Sequence, residues 1–477
     1  MTTPYYTDDR VTLYHGDCLD VLRGLPDASI DAVATDPPYG ISFMGKRWDR
    51  PDQSGSQRRA GTAMLSFQQW CTEWTTECLR VLKPGGHLLS FGGSRTWHRL
   101  ACAVEDAGFE IRDSIAWLYG SGFPKSHDVS KAIDKANGRR FEDRYALGRH
   151  IRERREAAGL TRADVNAWFG YRDGCEHWER QDPSGARVPT LADWSILSER
   201  LGLSSEFREL VERVEADREV VGRGSNWGAS TAAAGKQAYG DYAGGWDITA
   251  PATPEARQWQ GWGTALKPAF EPIVVGRKPL AGTVAANVLE HGTGALNIDA
   301  CRVGDGGGTT KGNPPKGESN GIYGNGINGA CDIVDLGKGR WPTNVVLDDA
   351  IAAELDEQTG ETASRGASRY FPVFRYEAKA KAAERPRVDG VSHPTVKPLA
   401  LIRWMVRLVV PPGGVVLDPF AGSGTTVEAC AVEGFKCVAI EREAEYLPLI
   451  EARIGRCITA PHETYHTATE TPGEDQS

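Results

Sequence analysis

The sequence predicts an α/β protein, a doubly wound Rossmann-like sheet interrupted by a small helical insertion. Three observations predict it. Short apolar runs alternate with stretches of helical spacing near both ends of the chain. Two of those runs lead into unusual strings, Asp36-Pro37-Pro38-Tyr39 and Asp418-Pro419-Phe420-Ala421-Gly422-Ser423-Gly424-Thr425-Thr426. Between them, residues 139–215 carry 14 arginines and no lysine, with helical periodicity in several blocks.

The elements follow in order. Val11 to Tyr14 and Ile30 to Ala34 read as strands, with helical spacing from Cys18 to Leu25 between them. Phe67 to Leu82 reads as an amphipathic helix stopped by Lys83-Pro84-Gly85-Gly86. His87 to Phe91 is the next strand, Thr96 to Ala107 a helix, and Ile111 to Trp117 a strand. In the insertion, helices are expected over Ala146 to Ala158, Arg162 to Phe169, Asp173 to Arg180 and Leu191 to Leu201. The sheet pattern resumes at Glu271 to Val275. It ends with a helix at Leu399 to Val410, a strand at Val415 to Leu417, a helix at Thr425 to Val432 and a strand at Lys436 to Ile440. Strands alternating with helices at this spacing imply parallel pairing.

This pattern divides the chain into a first α/β half at 1–138, a helical insertion at 139–220 and a glycine-rich linker at 221–260. A core return follows at 261–300, then an irregular region at 301–390. A second α/β half occupies 391–457 and a polar tail 458–477.

Composition limits the alternatives. The 55 glycines among 477 residues, roughly 12% against a usual ~7%, imply long irregular loops. A net charge of −9 argues against indiscriminate coating of nucleic acid but leaves room for a local basic groove. The ten cysteines form no C-x-x-C pair and suit reduced thiols, and no metal site is expected. The N-terminus lacks a signal core, and no stretch approaches ~20 apolar residues. A cytoplasmic protein of a bacterium or an infected host is expected.

The two strings carry the chemistry. In an open α/β sheet, ligands bind beyond the carboxyl ends of the strands. The small residues after Asp418 let backbone N–H groups approach a ligand at a helix start. Glu441, about twenty residues on at the end of the next strand, is placed to accept ribose hydroxyls. An exocyclic amino nitrogen is a poor nucleophile until its hydrogens are held. The Asp36 carboxylate and the Pro37 carbonyl can supply two acceptors. Pro37 and Pro38 stiffen the loop, and Tyr39 offers a π-face to a base taken out of its stack.

Asp-Pro-Phe-x-Gly-Ser-Gly-Thr-Thr, together with His393-Pro394-Thr395-Val396-Lys397-Pro398-Leu399, resembles the motifs of DNA amino-methyltransferases whose catalytic motif precedes the cofactor motif. That resemblance implies S-adenosylmethionine as cofactor and double-stranded DNA as partner. A cognate restriction nuclease is a further implied partner, and the protein would be a monomer or homodimer. By it, Asp418, Pro419, Phe420, Gly422, Gly424 and Thr425 would cradle the methionine part, and Glu441 the ribose. Lys397 and Pro398 would flank the pocket. Asp17 would face the adenine, with helix capping as its other reading. Aspartate at the first catalytic position leans towards adenine, and N4 of cytosine is the alternative. Methylation at a cytosine ring carbon needs a Pro-Cys dipeptide, which this sequence lacks. Trp117 to Lys125, Lys267-Pro-Ala-Phe-Glu271-Pro and Gly339-Arg-Trp-Pro-Thr-Asn344 also look like family segments, with Glu271 otherwise an ordinary strand-edge charge.

Two other classes fit the sequence less well. A regulator built on an inactive core would show damage at Asp36 or in the Asp418 loop, and both are intact. A dehydrogenase would leave Asp36-Pro-Pro-Tyr unexplained. Residues 147–179 of the insertion are similar to a repressor-type helix-turn-helix, with Thr161 as N-cap and a third helix near Arg172 to Arg180. Arg155, Arg172 and Arg180 there are expected DNA contacts, with a structural insert as the other reading, since a glycine stands where the recognition helix should begin. The resemblance would make 301–390 the target-recognition region, with Arg365 and Arg369 as expected contacts, Arg375 and Lys379 as further candidates, and solvated charge as their other reading.

Overall fold

The computed structural model describes residues 3–41, 49, 60–120, 126–138, 141–181, 187–216, 220–224, 246–249, 251, 254–304, 309–311, 333–335, 338–360, 366–374 and 385–459. It falls into two compact units, Met1–Gly122 with Pro268–Ser477, and Phe123–Lys267.

The first unit holds a ten-stranded sheet. Its strand order is Tyr6–Thr7, Val11–His15, Lys436–Glu441, Val415–Asp418, Ile30–Thr35, Leu82–Phe91, Phe270–Arg277, Glu110–Leu118, Val345–Asp348 and Val373–Phe374. All pairs are parallel except the three made by two strands. Tyr6–Thr7 runs antiparallel at the edge, and Phe270–Arg277 lies antiparallel between Leu82–Phe91 and Glu110–Leu118. The sheet is therefore mixed rather than purely parallel.

Burial follows the sequence. The strand Ile30–Thr35 is buried at every position, as expected where helices cover both faces of a parallel sheet. On one face, the helix Leu399–Val409 buries eight of its residues and packs beside Thr425–Glu433. Glu433 accepts from Arg403 at 2.6 Å and from Arg407 at 2.7 Å, tying those two helices together. Arg453, with no exposed surface, bonds Glu428 and ties the last helix, Leu447–Thr459, to the same layer. On the other face, Ala60–Val81 and Trp97–Asp106 enclose a second apolar cluster around Trp74. Among the described residues no helix is long and apolar enough to cross a membrane.

Some elements depart from the sequence reading. Lys83-Pro84-Gly85-Gly86 does not end a helix in open loop. It lies inside the strand Leu82–Phe91, where Gly85 takes φ +80° and the pairing slips between Ile30 and Ala32. The region 301–390 adds two strands, Val345–Asp348 and Val373–Phe374, to the main sheet.

The second unit is mostly helical, with Phe141–Ala157, Arg162–Ala167, Gly174–Trp178, Leu191–Leu201 and Arg208–Ala216 around a core of Leu147, Ile151, Trp178, Trp194 and Leu197. Thr161 caps Arg162–Ala167 through a reciprocal bond with Asp164, as the sequence suggests. The unit also takes in chain on both sides of the expected insertion. The Val129 N–H donates to the Trp262 carbonyl at 3.0 Å and the His127 N–H to Thr264 Oγ1 at 2.9 Å. Part of the expected linker is paired strand, Val220–Gly224 against Trp246–Thr249.

Candidate active site

The two strings begin side by side. Val415–Asp418 and Ile30–Thr35 are parallel neighbours, with Leu417 opposite Val33. From the first strand the chain continues to Lys436–Glu441 on one side, and from the second to Leu82–Phe91 on the other. The connections diverge here, which makes this the switch point at which open α/β sheets form a crevice. Thr35 Oγ1 donates to Asp418 Oδ1 at 2.7 Å, joining the strand ends across 383 residues of chain.

On the Asp36 side four polar side chains converge. Lys397 Nζ lies 2.7 Å from Asp36 Oδ2, 3.0 Å from Glu271 Oε1 and 3.1 Å from the Tyr39 hydroxyl. The Tyr39 hydroxyl also donates to Asp36 Oδ1 at 2.8 Å and bonds Glu271. The Lys397 ammonium lies 4.7 Å from the centre of the Phe91 ring, a cation–π contact. Burial disfavours the lysine charge, but the Asp36 and Glu271 carboxylates outweigh it and raise its pKa above the ordinary lysine value. Burial, followed by the charges of Asp36 and Glu271, raises the Tyr39 phenol well above its usual value, so it stays a neutral donor. Pro37 is buried and Pro38 half-buried. Gly93 is needed for close approach, because a Cβ there would meet the Tyr39 ring at 3.0 Å.

On the Asp418 side the loop is held by backbone donors. Asp418, 2% exposed, accepts from the Phe420 N–H at 3.1 Å as well as from Thr35. Burial raises its carboxyl to about 6, against the opposing pull of the Thr35 and Thr426 hydroxyls. Glu441 accepts from the Gly422 N–H at 2.7 Å and the Glu443 N–H at 2.7 Å, and burial lifts it to about 7. Gly422 sits at φ +52°, and Gly424, at φ +79°, is the N-cap of Thr425–Glu433. Pro419 and Thr425 are buried beside them. The Phe420 ring lies against Trp70 and edge-on to Trp74, at 5.6 and 5.3 Å between centres. Asp17 caps the helix Cys18–Leu22 by accepting from the Leu19 N–H at 3.0 Å. Its strand pairs with Lys436–Glu441, and the Gly16 N–H donates to the Glu441 carbonyl at 3.0 Å, so Asp17 and Glu441 end adjacent strands. Pro398 caps the helix Leu399–Val409.

The structure moves some residues from their expected places. Lys397, read as flanking the cofactor pocket, joins the Asp36 cluster. Glu271, read as a strand-edge charge, is the fourth member of that cluster. His393, to which the sequence assigns no role, lies against the Gly422 turn, where a Cβ on Gly422 would meet its Nε2 at 3.2 Å. Thr35 carries no signal in the sequence beyond preceding Asp36.

The expected DNA contacts divide. Arg155 is a correction. It is 7% exposed and pairs with the fully buried Glu179 at 2.6 Å, so it holds the helical core together. Removing one partner of such a buried pair typically costs about 3–5 kcal/mol, which suits a structural role and not a phosphate contact. Arg172 and Arg180 are exposed and bracket Gly174–Trp178, a helix of five residues. Arg369 is half-buried over the Tyr370 ring at 4.7 Å. Arg365, Arg375 and Lys379 lie outside the described residues.

Residues 30–145 and 317–452, over half of the chain, match the N6/N4 methyltransferase family described as DNA methylase. The chain belongs to this family. Among curated relatives it is 24% identical over 157 residues to the type II methyltransferase M.HinfI of Haemophilus influenzae, covering 30% of this chain and 44% of that one. It is 33% identical over 88 residues to the type II methyltransferase M.BamHI of Bacillus amyloliquefaciens, covering 18% and 19%. The chain thus spans less than half the length of each. Among solved structures, the cytosine-N4-specific PvuII DNA methyltransferase aligns over 95% of this chain and 89% of its own, at 14% identity and a TM-score of 0.37. The M1.HpyAVI–SAM complex aligns over 93% and 99%, at 13% identity and a TM-score of 0.33.

Proposed function

We propose that this protein methylates the exocyclic amino group of a flipped base in DNA, adenine N6, using S-adenosylmethionine. The observation that carries the reading is the hydrogen bond from Thr35 to Asp418, which brings the start of the Asp36–Tyr39 loop beside the start of the Asp418–Thr425 turn at the switch point.

The residues present suit this cofactor. Asp418 and Glu441 provide two buried acceptors at the ends of neighbouring strands, and Gly422 keeps the loop between them clear of a side chain. Asp418 would hold the methionine end, Glu441 the ribose hydroxyls and Asp17 the adenine side. When bound, S-adenosylmethionine would supply the methyl group, its sulfur keeping the C–S electron pair, and the amino nitrogen would exchange one proton for the new N–C bond. The Asp36 carboxylate and the Pro37 carbonyl would hold the amino hydrogens, and the Asp36 carboxylate would offer an acceptor for the departing proton. Tyr39, fixed at its hydroxyl by Asp36 and Glu271, gives the base a rigid face to stack on. Aspartate at position 36 supports adenine as the target.

A mixed basic and aromatic surface supports DNA as the partner. Arg302 stacks on Trp341 at 5.6 Å and Arg340 on Tyr370 at 5.2 Å, with Trp341 65% exposed. Such interleaving suits phosphates and base faces. Arg172 and Arg180 would add contacts from the helical unit.

Incubation with methyl-labelled cofactor and DNA, followed by digestion to nucleosides and mass spectrometry, tests the reading. N6-methyladenine is expected. N4-methylcytosine would change the target base, and the absence of both would refute amino methylation. Cofactor binding should also depend on pH. Glu441 titrates near 7 in the free protein and accepts hydroxyls best when ionised, so affinity should rise from pH 6 to pH 8 and then level off. Titration calorimetry on the parent and on Glu441→Gln checks this, since the variant should keep only the weaker dependence near pH 6 that Asp418 contributes.

A further inference from the structure

The Asp36 cluster contains one more carboxylate than amino recognition requires. Asp36 and Glu271 both lie within hydrogen-bond reach of the single ammonium of Lys397. Tyr39 bonds both carboxylates through one hydroxyl and remains neutral. Two carboxylates and one ammonium leave the group with a net charge of −1. Without Glu271, Lys397 and Asp36 would cancel as an isolated pair.

We propose that Glu271 is a positioning residue that shares the charge of Lys397, so that Asp36 keeps negative charge facing the target amino group. The inference rests on the proposed amino methylation. During transfer the amino nitrogen acquires positive charge before it sheds a proton, so a site left negative stabilises that charge where a neutral pair would not. Burial strengthens the effect, since the side chains of Lys397 and Glu271 are 11% and 15% exposed. The geometry also explains the place of the lone central antiparallel strand. Phe270–Arg277 brings Glu271 opposite Trp117 in the sheet, at the end where Tyr39 and Lys397 meet. Lys397 thus orients Asp36, while Glu271 limits how far the lysine neutralises it.

Glu271→Gln keeps the shape and a hydrogen-bonding group but removes the charge, and Glu271→Asp restores the charge on a shorter stem. In the full-length protein, Glu271→Gln should lower the single-turnover methylation rate on DNA about 10–100-fold. Cofactor affinity by calorimetry should stay within about twofold, because Glu271 touches no residue of the Asp418 loop among the contacts described. Glu271→Asp should recover most of the rate. A second readout is independent of methylation. Removing the Glu271 charge leaves Lys397 less strongly protonated, so an amine-acylating reagent at pH 8, followed by peptide mass spectrometry, should modify Lys397 severalfold faster in Glu271→Gln than in the parent. Unchanged Lys397 reactivity, or a Glu271→Gln rate equal to the parent's, would overturn the proposal. So would a loss that Glu271→Asp fails to restore, which would mark Glu271 as a packing residue. If the parent moves no methyl group to DNA, amino methylation itself fails, and the acylation experiment still decides whether Glu271 controls Lys397.

Discussion

Asp36→Ala should abolish methyl transfer to DNA, with a fall of about 10²–10³-fold or more in the rate of the chemical step, while cofactor affinity stays near that of the parent. Asp36 contributes one acceptor to an amino group that does not react until its hydrogens are held. Water entering the gap would solvate that group without orienting it. The substitution also leaves Lys397 with Glu271 and the Tyr39 hydroxyl as its remaining partners, so the Tyr39 hydroxyl loses one of its three anchors. The Asp418 loop is held separately, by Thr35, the Phe420 N–H and the contacts of Glu441. Single-turnover transfer from labelled cofactor, paired with calorimetry, separates the two effects. A matched loss of transfer and of cofactor binding would contradict the division of labour between the loops.

Gly422→Leu should show the reverse order and lose cofactor binding first. Gly422 lies at φ +52°, where an L-residue pays about 1–2 kcal/mol. Its new Cβ would press on His393 at 3.2 Å, and His393 is itself packed edge-on against Tyr446, 4.6 Å between ring centres. The Gly422 N–H is also a donor to Glu441, so movement of the loop disturbs the carboxylate proposed to hold the ribose. Relieving about 1–2 kcal/mol of strain by moving the loop out of its binding position corresponds to roughly 5–30-fold in affinity, so a loss in that range is expected by calorimetry. An unchanged dissociation constant would mean that the cofactor does not use this loop.

Much of this site was legible in the sequence because its signals are local. An apolar run followed by Asp-Pro marks a strand end, and a run of glycine and serine before a helical pattern marks a ligand turn. Both inferences need only neighbouring residues. What stayed hidden depends on long-range register. Glu271 meets Tyr39 across 232 positions, and a strand's place in the sheet order is not written in its own residues. Phe270–Arg277 gives no local sign that it will lie antiparallel among parallel neighbours. Arg155 was misplaced for a related reason. Arginine is usually exposed, and its burial is compensated by Glu179, 24 positions further on. The strand Val345–Asp348 is four residues long and follows a glycine-rich stretch, so its apolar run gave too little periodicity to stand out.

The central claim is that loops separated by nearly the whole chain form one crevice in which amine and methyl donor meet. A crystal structure of the protein with bound S-adenosylmethionine tests it most directly. The cofactor's methyl-bearing sulfur is expected between the Asp36–Tyr39 loop and the Asp418–Thr425 turn, with the ribose hydroxyls on Glu441. Density for the cofactor away from the carboxyl ends of Ile30–Thr35 and Val415–Asp418 would contradict the claim.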